Sequence, residues 1–162
     1  MEESSGSQQD LKDVSPQTDA QFCYACDLTL DPNTANSELI LSDENRKATR
    51  VYEPQSYPDH PDRFDYWDQV LSVESLTGRC YWETEWSGYK AEISVSYKEI
   101  KRKGGSGCRF GRNVNSWCLF YFDDSFTAWH NNKSTDISAG SVSSKRVGVY
   151  VDVSGGTLSF YS

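Results

Sequence analysis

Two cysteines at the spacing Cys23-Tyr24-Ala25-Cys26 are the first residues here whose types suggest chemistry. That spacing serves thiol redox exchange or half of a zinc site. A redox pair should open a helix after a strand, whereas this one runs into the strand-like Asp27-Leu28-Thr29-Leu30. Zinc needs two more ligands, and His60 and His130 each stand alone with no second Cys-x-x-Cys. Five cysteines (Cys23, Cys26, Cys80, Cys108, Cys118) make an odd set. The expectation is reduced thiols in a cytoplasmic protein rather than a disulfide framework.

Other candidate chemistry fails on spacing. Gly104-Gly105-Ser106-Gly107 lacks the Lys-Ser or Lys-Thr of a phosphate loop, for Cys108-Arg109-Phe110 follows. A nucleophile elbow wants glycine two residues after the serine, where Cys108 stands. Glu83 and Glu85 share one strand face and read as solvated or ion-paired. Asp123-Asp124 hints at calcium, without further ligands at loop spacing. The sequence therefore calls for no catalysis, no metal and no cofactor. From Tyr97 to Arg112 there are six bases and one acid, Glu99. An anion or RNA site on Lys101, Arg102 and Lys103 is conceivable, but charges on a solvated hairpin that discourage edge pairing are the better reading.

These residues must be positioned by strands. Cys80, Trp82, Thr84 and Trp86 alternate with Tyr81, Glu83 and Glu85, so Trp82 and Trp86 are expected to supply one core face of a central strand. Ala91, Ile93, Val95 and Tyr97 alternate with Glu92, Ser94 and Ser96, and Val147, Val149, Val151 and Val153 repeat the pattern. Leu158 and Phe160 follow the turn at Gly155-Gly156. Trp117–Phe122 is apolar on both faces, which predicts a central strand or one covered on both sides. Turn signals lie between the runs: Asp31-Pro32-Asn33, Ser42-Asp43-Glu44-Asn45, Asp123-Asp124-Ser125 and Asn131-Asn132. Short strands separated by turns predict an all-β antiparallel sandwich or barrel.

Composition agrees. The 162 residues suit one domain, and Leu, Ile, Val and Phe number only 31, but Trp and Tyr add 15 large side chains. The net charge is −8, and half of it falls in residues 1–19, whose apolar residues are Met1, Leu11 and Val14. Residues 1–23 are read as a disordered acidic linker. The acidic body argues against DNA as a partner. No run reaches the roughly 20 apolar residues of a membrane span, and no signal peptide is visible.

Three blocks of sequence carry a family resemblance. Leu28-Thr29-Leu30-Asp31-Pro32-Asn33-Thr34-Ala35-Asn36, then Leu39-Ile40-Leu41-Ser42 and Arg46, resemble the PRY motif. Gly78-Arg79-Cys80-Tyr81-Trp82-Glu83-Thr84-Glu85-Trp86 resembles a "GRxYWEVEW" block, with Thr84 in place of Val. Arg146–Val153 and Gly156–Tyr161 resemble "RVGVYLDYEAGTLSFY", with Val153-Ser154 in place of Tyr-Glu. Together they resemble the PRY-SPRY (B30.2/SPRY) domain, in the fish type found on NOD-like receptors, tripartite-motif ubiquitin ligases and stonefish-type toxins. The PRY part would cover about 24–75 and the SPRY part about 76–162.

The resemblance implies a curved two-sheet β-sandwich with no enzymatic activity, which binds a protein or peptide with loops at one end and the adjoining concave face. Such a module would sit in an innate-immune receptor or ubiquitin ligase, or alternatively at the C-terminus of a pore-forming toxin. Carried over by position, the binding loops are 52–66, 101–115, 123–126 and 131–145. The implied anchors are Tyr57, Tyr66, Phe110, Phe120, Phe122 and Trp129, aromatics being the residues that dominate interfaces. Because Trp117–Phe122 cannot expose both faces, Phe120 and Phe122 are assigned to the binding face. The family's sequence continues beyond the Phe-Tyr-Ser block, so the expectation is a fragment lacking its final strands.

Overall fold

The computed structural model describes residues 9–12, 24–137 and 144–161. Among them the strands are β1 (Gln9–Lys12), β2 (Leu39–Ser42), β3 (Lys47–Arg50), β4 (Arg79–Glu85), β5 (Lys90–Ser96), β6 (Ser116–Phe122), β7 (Ser125–His130), β8 (Lys133–Ile137), β9 (Arg146–Asp152) and β10 (Thr157–Tyr161). The one helical turn among them is a 3-10 turn at Ser106–Cys108, and no helix is long and apolar enough to cross a membrane. The fold is all-β.

Two four-stranded sheets, β1-β10-β9-β4 and β5-β6-β7-β8, accompany the hairpin β2-β3. Alternation explains how the sheets meet. Ile93, Leu119, Tyr121 and Phe126 project from one sheet onto Val147, Val149, Val151, Leu158 and Phe160 of the other. Each such side chain contributes about 1.5–3 kcal/mol when fully buried. Trp82 of β4 and Trp86 just beyond its end close the core, and the Trp86 ring lies 4.9 Å from that of Tyr121.

Two turns set the register on which the site depends. Asp123-Asp124 joins β6 to β7 and Asn131-Asn132 joins β7 to β8, all four with positive φ between 47° and 60°. Two-residue turns of this kind match the natural twist of paired strands, and Asn and Asp tolerate the conformation. The hairpins are therefore tighter than expected: the expected loops 123–126 and 131–145 become two turns plus β7 and β8, with 138–143 outside the described residues. Asp123-Asp124 is a turn, and among the described residues no three or more acidic, His or Cys groups assemble as a metal site.

Three local expectations are corrected. First, β4 borders its sheet rather than occupying its centre: it pairs with β9, and among the described residues its other side meets only the isolated bridge Ala25↔Tyr81. Second, Cys26 and Cys80 are joined in a disulfide, Cα atoms 5.5 Å apart, and are not free thiols. The same bridge lays 24–26 along β4 and so brings two cysteines 54 positions apart within bonding reach. Cys108 and Cys118 are free and buried, and Cys23 lies outside the described residues. Third, four residues of the expected linker form β1, which pairs in parallel with β10. That contact is main-chain pairing along the β10 edge, which composition does not reveal. Residues 1–8 and 13–23 lie outside the described ones.

Candidate recognition surface

Strand pairing aligns one outer face of the β5–β8 sheet. Glu92, Phe120, Thr127 and Asp136 form a row, Lys90, Phe122 and Ser125 a second, and Ser94, Cys118, Trp129 and Ser134 a third. This face is covered unevenly. At the Cys118 end, the segments around Phe64, Ile100 and Phe110 pack down as a second core, with Leu71, Phe120 and Trp129 partly buried against it. At the other end Phe122 is 48% exposed and Tyr89, beside it, 70%.

A few polar groups hold the covering loops in place. Buried Gln69 donates to the Cys108 carbonyl at 2.9 Å and accepts from the Phe110 amide at 2.8 Å. Asp65 accepts from the Gly104 amide at 2.9 Å, and Trp67 Nε1 donates to the Gly105 carbonyl at 2.9 Å. Gly111, at φ +76°, passes so close to the sheet that a Cβ there would lie 2.7 Å from that of Trp129 and 2.9 Å from that of Cys118. Only glycine fits that approach. Its amide donates to Ser116 Oγ at 2.8 Å.

The result is an aromatic strip edged by charge. Phe120 and Phe122 stack at 6.1 Å, and Tyr89 meets Phe122 edge-on at 5.9 Å. Tyr66, 65% exposed, packs edge-on against Trp67 at 5.0 Å. Arg109 covers the Trp67 ring at 4.7 Å and donates to Glu92 at 2.8 Å; Lys90 reaches the same carboxylate at 3.2 Å and lies over Phe120 at 5.7 Å. Arg112 covers Trp129.

Four of the six expected anchors, Tyr66, Phe120, Phe122 and Trp129, are thus on this face or at its border. Phe110 is not available as an anchor: it is 8% exposed and meets Phe64 edge-on at 5.5 Å in the second core. Tyr57 is placed elsewhere, half-buried in the PRY region, where its hydroxyl donates to the Leu39 carbonyl at 2.6 Å and Arg63 covers its ring. Buried Arg63 also donates to the carbonyls of Pro32, Ala35 and Pro58, so it and Tyr57 staple the 57–63 loop.

The basic trio Lys101, Arg102 and Lys103, the less favoured anion or RNA site, does not come together at one place. Arg102 donates to the carbonyls of Ile100 and Lys98 and lies over Phe64 at 5.1 Å, with burial lowering its pKa. Lys103 donates to the His60 carbonyl at 3.3 Å, and Lys101 stays exposed. Sequence reasoning missed Lys90, Glu92, Trp67, Tyr89 and Arg109 as site residues. For Glu92 a signal existed, since alternation puts it across from Phe120; Trp67 and Arg109 arrive from loops that no periodicity governs.

Known proteins share this fold. A model of PRY, the SPRY-associated domain, matches residues 28–76. The chain is 44% identical over 140 residues to stonustoxin subunit beta of Synanceia horrida, covering 85% of the chain and 20% of the toxin subunit. It is 42% identical over 151 residues to tripartite motif-containing protein 16 of Mus musculus, covering 90% of the chain and 27% of that protein. The chain thus spans about a fifth to a quarter of these relatives' length. Among solved structures, the TRIM65 PSpry domain superposes with a TM-score of 0.78 at 30% identity, covering 92% of the chain and 80% of that domain. Such domains are interaction modules, generally without enzymatic activity, and this chain belongs to the PRY-SPRY family.

Proposed function

We propose that the outer face of β5–β8 is the docking surface of a protein-recognition module, with Phe120, Phe122 and Trp129 as apolar anchors and Tyr66 and Tyr89 at the margins. The observation that carries this reading is the uneven cover of one sheet face. Along the outer face of β6 the side chains pass from buried Cys118 through half-buried Phe120 to exposed Phe122. A rigid strand that exposes stacked aromatics beside ion-paired charges has the makeup of an interface core with a polar rim.

Within a larger protein, such a module would supply recognition to an innate-immune receptor or ubiquitin ligase, any ligase chemistry residing in another domain. The C-terminal module of a pore-forming toxin is the second reading, favoured by the 44% identity to the stonustoxin subunit. The argument for a cytoplasmic setting from reduced thiols loses force at Cys26–Cys80, since disulfides persist mainly in oxidising compartments.

The test uses peptides selected from a random 12-residue library on the purified chain. A photo-cross-linking phenylalanine analogue is placed at 122 and, as a control, at Tyr52, which is 90% exposed in the PRY region. Cross-linking at 122 and none at 52 is expected. The reverse pattern rejects the surface.

A further inference from the structure

Two cations meet a single carboxylate on this face, and a third, Arg112, lies over Trp129 on the same face. Glu92 Oε1 accepts from Arg109 at 2.8 Å and faces Lys90 Nζ at 3.2 Å. Arg112 is near enough for the charges of both Arg109 and Glu92 to act on it. The other acid aligned with the row, Asp136, sits three strand spacings from Glu92, about 14 Å, and accepts from Thr127 Oγ1 at 3.4 Å.

Each cation is also backed by a ring: Lys90 by Phe120, Arg109 by Trp67 and Arg112 by Trp129. A ring engages the flat face of a guanidinium and leaves N–H groups on its edge to bind in the plane. The Arg109 and Glu92 side chains are only 21% and 22% exposed, so their charges act through less water than those of an open surface. Burial first, and then the charge of Arg109, lowers the Arg112 pKa, as expected for a cation crowded by another in a partly dry site.

We infer that Lys90, Arg109 and Arg112 form a subsite for a carboxylate carried by the bound protein, an Asp or Glu beside the apolar residue that packs on Phe120 and Phe122. This inference rests on the outer face being the docking surface. One incoming carboxylate brings the cluster closer to charge balance, and a guanidinium fork suits a carboxylate in two-point contact. Exposed Lys98 and Lys101 on the neighbouring segment add positive potential that draws an acidic partner in. The partner is therefore acidic, although this chain is acidic overall.

The test compares peptides from the same random library on the native chain, Glu92→Gln, Arg109→Gln and Lys90→Gln. Native-selected peptides should be enriched in Asp or Glu. One such peptide should bind Glu92→Gln more tightly, Arg109→Gln about tenfold more weakly, and Lys90→Gln more weakly by a smaller factor. Replacing its acid with Asn or Gln should erase these differences. Opposite signs for Glu92→Gln and Arg109→Gln cannot come from simple loosening of the fold. Peptides that need Phe122 yet show no acid enrichment, or equal affinities across the variants, overturn the carboxylate subsite and leave the docking face standing. A selection in which no peptide loses binding on Phe122→Ala overturns both.

Discussion

The two faces of β6 differ in kind although they alternate along seven residues. Inward, Leu119 and Tyr121 are 0% and 1% exposed, sealed by the opposite sheet along the strand. Outward, exposure climbs from Cys118 at 2% to Phe122 at 48%, because loops rather than a sheet cover that side and they cover only one end. A sheet can cover the full length of a strand, whereas loops tied down at a few points leave an apolar remainder. That remainder is available for binding without opening the core.

The comparison can be attacked first from the inside. Leu119→Ala should cost about 2–5 kcal/mol, the range for a buried leucine, measured as a shift in denaturant midpoint. A cost as small as that of Phe122→Ala would mean that the two faces are not different after all. Next, Gly111→Ala should cost about 1–3 kcal/mol, as overpacking does, because its Cβ would collide with Trp129 and Cys118. It should also lift the cover from the outer face, so that iodoacetamide labels Cys118 faster than in the native chain at equal fraction folded. Unchanged labelling would show that the loop is not what seals that end.

Alkaline titration reads two buried groups, Cys118 at the covered end of the outer face and Tyr81 on β4 of the other sheet. Burial pushes the Cys118 thiol up to about 12 from an ordinary 9.0, and burial followed by the Glu83 charge raises the Tyr81 hydroxyl to about 12 from 10.0. In both, the folded state holds its proton longer than the unfolded chain. Their contribution to stability is complete below pH 9 and is lost as pH rises through about 12. Cys118→Ala should flatten the part of that loss that begins near pH 9; an unaltered curve would contradict the buried thiol. The smallest effect belongs to Phe122→Ala, which should change stability by about 0.5 kcal/mol or less, and a melting shift comparable to that of Leu119→Ala would place Phe122 in the core.

Much of this was legible from alternation. The period-two runs at Cys80–Trp86, Ala91–Tyr97 and Val147–Val153 predict the strands, and the double-faced run at 117–122 predicts that β6 lies between two neighbours, as it does between β5 and β7. Asp123-Asp124 and Asn131-Asn132 signal the turns because few residues accept positive φ. What stayed hidden depends on contacts between distant segments. Phe110 looks like a loop aromatic until the loop folds under it and meets Phe64. Arg102 looks like a free cation until the carbonyls of Ile100 and Lys98 capture it. The Cys26–Cys80 pairing needs the bridge at Ala25, which leaves no local pattern.

The most direct measurement is the affinity of a library-selected peptide for the native chain and for Phe120→Ala/Phe122→Ala, each checked for an unchanged thermal midpoint. If the outer face is the docking surface, affinity falls at least about tenfold, the cost of losing an interface anchor, while Tyr52→Ala binds like the native chain. Equal affinity in the double variant, with Tyr52→Ala losing binding instead, would contradict the account and move recognition to the PRY region.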